Sequence, residues 1–119
     1  MATVLVIEDE ALIRENLMRF LALEGYTARC ASDGQAGLEA ARADPPDLIL
    51  CDVMMPRMNG FDVLQALLQD PLLKTIPFFF LSASAEREKL EAGMALGAAG
   101  YVTKPFDLMQ LRDVLRRVL

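Results

Sequence analysis

Residues 47–60 read DLILCDVMMPRMNG. Leu48, Ile49, Leu50 and Cys51 make an unbroken apolar run, Asp52 ends it with a carboxylate, and Pro56 and Gly60 turn the chain. A strand that is apolar at successive positions, with no alternation, belongs in the middle of a parallel sheet covered by helices on both faces. The acid at its end therefore needs an explanation.

Working outward, four more short β-rich runs recur: TVLVI, YTARC, PFFFL and GYVT, each followed by a longer amphipathic stretch. That pattern is five βα units. In the first helix Ile13, Leu17, Phe20 and Leu21 fall at helical spacing with Gly25 as a stop, and in the last Leu108, Leu111, Leu115 and Val118 do the same. YTARC mixes in Thr27 and Arg29 and reads as an edge strand. The expected fold is α/β, a single doubly wound five-stranded parallel sheet, with residues 1–119 forming one domain.

Composition narrows the function. At 119 residues and 54% hydrophobic side chains the chain supports one core, and a net charge of −5 argues against direct binding to nucleic acid, which needs clustered Lys and Arg. The acidic turn after the first apolar residues and the lack of any membrane-length apolar run predict a cytoplasmic protein. Cys30 and Cys51 have no CxxC spacing and the chain has no histidine, so both are expected as buried free thiols and not zinc ligands.

Ligands of such sheets bind beyond the carboxyl ends of the strands. There the first strand delivers Glu8 and Asp9, the third Asp52, the fourth Ser82 and the fifth Lys104. Crowded carboxylates repel one another, so the cluster calls for a cation, and Mg2+, which takes oxygen ligands and keeps several waters, suits a shallow acidic rim. Each residue alone has an ordinary explanation. Asp9 is the best helix-cap candidate, Asp52 could start an Asx turn, Ser82 could cap the fourth helix and Lys104 could be a solvated loop charge. Only their joint placement raises the functional reading above these.

With Glu8 and Asp9, DVMMPRMNG from Asp52, LSAS containing Ser82 and GYVTKPF containing Tyr101 and Lys104, the whole chain resembles the receiver domain of two-component response regulators. The resemblance implies a flavodoxin-like (βα)5 fold with strand order 2-1-3-4-5. It implies that Asp52 is the phosphoacceptor, taking a phosphoryl group from a phosphohistidine on a sensor histidine kinase or histidine phosphotransfer protein. It implies that Asp9, Asp52 and the backbone carbonyl of Met54 hold magnesium with Glu8 helping through water, and that Ser82 and Lys104 contact the phosphoryl oxygens. Tyr101, by composition only a half-buried strand aromatic, is by resemblance a switch side chain. The surface of helix 4, strand 5 and helix 5 then meets a downstream protein or output domain. Such a chain is a switch that assists its own phosphorylation and dephosphorylation, not an enzyme in the usual sense.

Several details qualify these implications. Ser82 stands where Thr is commoner. Ala99 and Gly100 replace the paired acids of one charged dimer face. Met54 and Ser84 flank, by resemblance, the path of the water that removes the phosphoryl group. Pro105 fixes the chain after Lys104, where a cis bond is an option. Gly93 and Gly97 are read as weakening the fourth helix, at about 1 kcal/mol each where helical. An aspartyl-phosphate hydrolase is disfavoured because Met54 occupies the place of its second carboxylate, and a flavin or dinucleotide binder because Glu8, Asp9 and Glu10 repel phosphate. A receiver-like scaffold that is never phosphorylated is disfavoured because the acceptor, metal and lysine positions are all filled.

Overall fold

The computed structural model describes residues 2–83 and 87–119, leaving out the side chains of residues 87–89. Strands and helices alternate: β1 (Thr3–Ile7), α1 (Ala11–Leu23), β2 (Thr27–Ala31), α2 (Gly34–Ala43), β3 (Leu48–Asp52), α3 (Gly60–Leu68), β4 (Phe78–Ala83), α4 (Arg87–Leu96), β5 (Gly100–Lys104) and α5 (Leu108–Val118). All four strand pairings are parallel and the order is β2-β1-β3-β4-β5, as expected.

The continuous apolar runs follow from burial on both faces. Leu5, Ile7, Ile49, Cys51, Phe78 and Phe80 pack with Leu38, Val63, Leu67 and Leu90. Their sequence neighbours Val4, Val6, Leu48, Leu50, Phe79 and Leu81 pack on the other side with Leu17 and Leu21 of α1 and Leu111, Val114 and Leu115 of α5. A strand with α-helices above and below has no polar face to show.

β1 and β5 start where their apolar runs predict, whereas β2, β3 and β4 each start one residue later. Gly25, at φ +91°, closes α1 by donating its N–H to the Ala22 carbonyl, and the Tyr26 N–H donates to that of Leu21. This Schellman arrangement commits the Tyr26 backbone to the helix end, so β2 begins at Thr27. The expected stripe of α5 shifts too: Leu108 opens the helix half-exposed, and Val114 takes a buried place beside Leu111 and Leu115. Cys51 is buried as expected, but Cys30 is exposed, because edge strand β2 has a neighbour on one side only.

Gly93 needs a second correction. A Cβ built there would lie 2.4 Å from Cε2 of the fully buried Phe80 ring and 2.9 Å from Phe61, so this glycine marks the close approach of α4 to the sheet more than a weak point in the helix. Helix propensity alone makes Gly93→Ala stabilising by about 1 kcal/mol. The packing reverses that sign, and we expect the variant to unfold at lower urea concentration than the parent, losing about 1–3 kcal/mol as overpacked cores do.

Candidate functional site

The carboxyl ends of β1, β3, β4 and β5 lie together, and they bring the expected groups into one cluster. Lys104 Nζ lies 2.7 Å from Glu8 Oε1 and 3.1 Å from Asp52 Oδ1. Glu8 is wholly buried, Asp52 is 6% exposed, and Ser82 is buried on β4. Asp9 is exposed at the rim, yet carboxylate oxygens of Glu8, Asp9 and Asp52 come within 4.8 Å of one another.

The ordinary explanations fail one by one. Asp52 is the last residue of β3, paired with Leu81, and Ser82 lies inside β4 opposite Thr103, well before α4. Lys104 is ion-paired and mostly covered. Asp9 does not cap α1. The N-cap is Glu10, which makes no side-chain cap hydrogen bond, and the Glu10 N–H donates to Glu8 Oε2 at 3.2 Å. The Asp9 carboxylate is thereby left to the cluster.

The electrostatics show a site short of positive charge. Burial, reinforced by the nearby Asp52 carboxylate, pushes Glu8 up to about 7 against the pull of Lys104. Burial also raises Asp52, helped by the charge of Asp9 and opposed by its hydrogen bonds to Glu8 and Lys104. Burial alone would lower Lys104, but its contacts with Glu8 and Asp52 outweigh that and hold it above its ordinary value. Among the described residues one ammonium, that of Lys104, pairs with these acids, and it cannot neutralise three carboxylates. An all-oxygen donor set on a partly open rim fits a hard divalent cation, and Glu8, Asp9 and Asp52 are the residues here that could hold it.

The loop after Asp52 is shaped to approach it. The Gly60 N–H donates to the Val53 carbonyl at 2.9 Å, and a Cβ on Gly60 would sit 2.5 Å from the Asp52 carbonyl oxygen, so only glycine fits. Asn59 and Asp62 form a capping box that starts α3 at that point. Pro56 accepts from the Met58 N–H at 2.7 Å around Arg57 at φ +68°, a positive-φ γ-turn. Met54 leaves β3 with a half-exposed side chain, and Lys104–Pro105 is cis. Tyr101, on edge strand β5, is 39% exposed and lines a hollow with Phe79, Met94 and Val114. Ser84 lies outside the described residues. Sequence reasoning overlooked Arg14, whose guanidinium donates to the carbonyls of Glu8 and Asp9. A basic residue one turn into the helix behind an acidic loop was its available signal.

A family model described as the response regulator receiver domain matches residues 4–116. The transcriptional regulatory protein CseB of Streptomyces coelicolor is 39% identical over 96% of this chain and 49% of its own length. The response regulator ArlR of Staphylococcus epidermidis is 37% identical over 100% of this chain and 53% of its own. The chain thus spans about half the length of these curated relatives. Among solved structures, the Vibrio cholerae chemotaxis protein CheY4 superposes with a TM-score of 0.93 at 36% identity, covering 100% of this chain and 99% of that one.

The raised carboxylates set a pH dependence. Between their unfolded and folded values, from about 4.5 to about 7 for Glu8, the folded chain binds more protons than the unfolded one. Stability therefore falls as pH rises through that window, by about 1.4 kcal/mol for each unit by which a folded carboxyl value is raised. We expect the metal-free chain to unfold at lower urea concentration at about pH 7.5 than at about pH 5, and millimolar magnesium to recover most of the difference.

Proposed function

Because the chain belongs to the response regulator receiver domain family, we propose that residues 1–119 form one receiver domain in which Asp52 is the phosphoacceptor. The observation that carries this reading is Lys104 bridging Glu8 and Asp52 beside the Asp9 carboxylate. A carboxylate oxygen of Asp52 attacks phosphorus, the phosphorus–nitrogen bond to a donor histidine breaks, and the imidazole leaves with the electron pair. Nucleophile and donor are both anions, so transfer depends on positive charge held in place beforehand. Lys104 provides part of it, exchanging carboxylate oxygens for phosphoryl oxygens, and the Ser82 hydroxyl donates to another of them. Magnesium, held by Asp9, Asp52 and the Met54 carbonyl with Glu8 acting through water, would supply the remaining neutralisation.

The donor is a sensor histidine kinase or a histidine phosphotransfer protein, and the setting is the cytoplasm; no helix among the described residues is long and apolar enough to cross a membrane. Output passes through the α4, β5 and α5 surface to a downstream protein or output domain, with Ser82 and Tyr101 as the moving parts. The chain itself makes no direct contact with nucleic acid. Ala99 and Gly100 on that surface exclude a dimer built on paired acids at those two positions.

Mass spectrometry after incubation with acetyl phosphate and magnesium tests the acceptor. Asp52→Asn is expected to take no label at this site, and labelling at the parent's rate would end the assignment. Lys104→Ala should still bind magnesium, but label about 10- to 100-fold more slowly, as when a preorganised charge is removed from a reacting oxygen.

Lifetime is a separate expectation. The Met54 thioether is a weak acceptor that cannot orient a water for in-line attack. Met54→Asn should shorten the half-life of the phosphorylated chain about 3- to 10-fold once donor is removed. Coincident decays for parent and variant would show that Met54 does not control hydrolysis.

A further inference from the structure

The turn between β1 and α1 carries Glu8 and Asp9, yet the helix behind it starts without the side-chain cap that usually fixes such a turn. Arg14 takes over that task. Its backbone N–H closes the first helical turn on the Glu10 carbonyl at 3.0 Å. Its Nη1 reaches back over the same turn and donates to the carbonyl oxygens of Glu8 at 2.8 Å and Asp9 at 3.4 Å. We propose that Arg14 is a positioning residue for the cation site, anchoring the Glu8 and Asp9 peptides so that the Asp9 carboxylate faces Asp52. This rests on the reading of Glu8, Asp9 and Asp52 as a magnesium site.

Physical need supports the assignment. Glu8 is held by burial, its contact with Lys104 and its bond to the Glu10 N–H, whereas Asp9 is exposed at the rim. Magnesium tolerates little departure from octahedral geometry, so a rotation of the Asp9 peptide would reach the ligand oxygen directly. Charge acts in the opposite sense, since a guanidinium near the site repels a divalent cation. Geometry outweighs it: the Arg14 charge is partly exposed and screened, while its hydrogen bonds hold the backbone of a ligand exposed at the rim.

Because the two effects oppose each other, magnesium titration calorimetry separates them. Arg14→Met removes both the charge and the hydrogen bonds, and should weaken magnesium binding about 5- to 10-fold, as expected for losing a hydrogen bond of ordinary net strength. Arg14→Lys keeps the charge but ends about one bond short of the two carbonyls, and should be weakened about 3-fold; it carries the test if the methionine variant fails to fold. In acetyl phosphate labelling, the magnesium concentration for half-maximal rate should rise in the same proportion, with the rate at saturating magnesium unchanged. Equal or tighter magnesium binding by Arg14→Met, or by Arg14→Lys where only that variant folds, overturns the proposal while leaving the metal site intact. A parent chain that binds no magnesium overturns the site and the proposal with it.

Discussion

Two buried carboxylates sharing one ammonium is the constraint to which the rest of the structure answers. At the separations of Lys104 from Glu8 and Asp52, each attraction is about 5–6 kcal/mol at an effective dielectric of about 20, while the carboxylate oxygens, within 4.8 Å of each other, repel by about 3.5 kcal/mol or more. Attraction wins pairwise, but removing each ion from water costs several kcal/mol more. The balance is left unfinished, which is why Glu8 and Asp52 both hold protons more tightly than free carboxylic acids. Such a site favours whatever brings positive charge, a divalent cation first.

Only a parallel sheet delivers these groups to one place. Glu8, Asp52, Ser82 and Lys104 span most of the chain, yet each sits at or just beyond the carboxyl end of its strand, and in parallel register those ends coincide. Covering helices on both faces make the strands wholly apolar and lower the dielectric behind the site. The core that stabilises the fold is therefore also what raises the proton affinity of Glu8 and Asp52.

The same packing ties the site to a distant surface by a short route. Ser82 lies two residues beyond Phe80 on β4; Phe80 pairs in register with Tyr101 of β5 and meets α4 at Gly93. The close approach there leaves no slack between helix and strand, so a change in the β4 backbone cannot be absorbed locally. Tyr101, on an edge strand and partly in solvent, is the member of this group with room to change rotamer.

Hydrophobic patterning by itself determined the five βα units and the parallel sheet, because unbroken apolar runs admit few other arrangements. The acceptor, metal and lysine candidates were legible for a related reason: charge at the end of an apolar strand is costly enough to require a use. Local chemistry misled where tertiary partners decide. Asp9 has a cap's composition, but α1 takes Glu10 as its N-cap; Gly93 looks like a helix weakness, but the Phe80 ring fills the space of its side chain; Cys30 sits in a strand-like run, but on an edge. Arg14 had only a weak signal, a basic residue behind an acidic loop, because its partners are backbone carbonyls, which every residue carries. Residue types and their period thus settled which groups could act, whereas only the folded chain decided which of them touch, since burial and contact depend on neighbours far away in sequence.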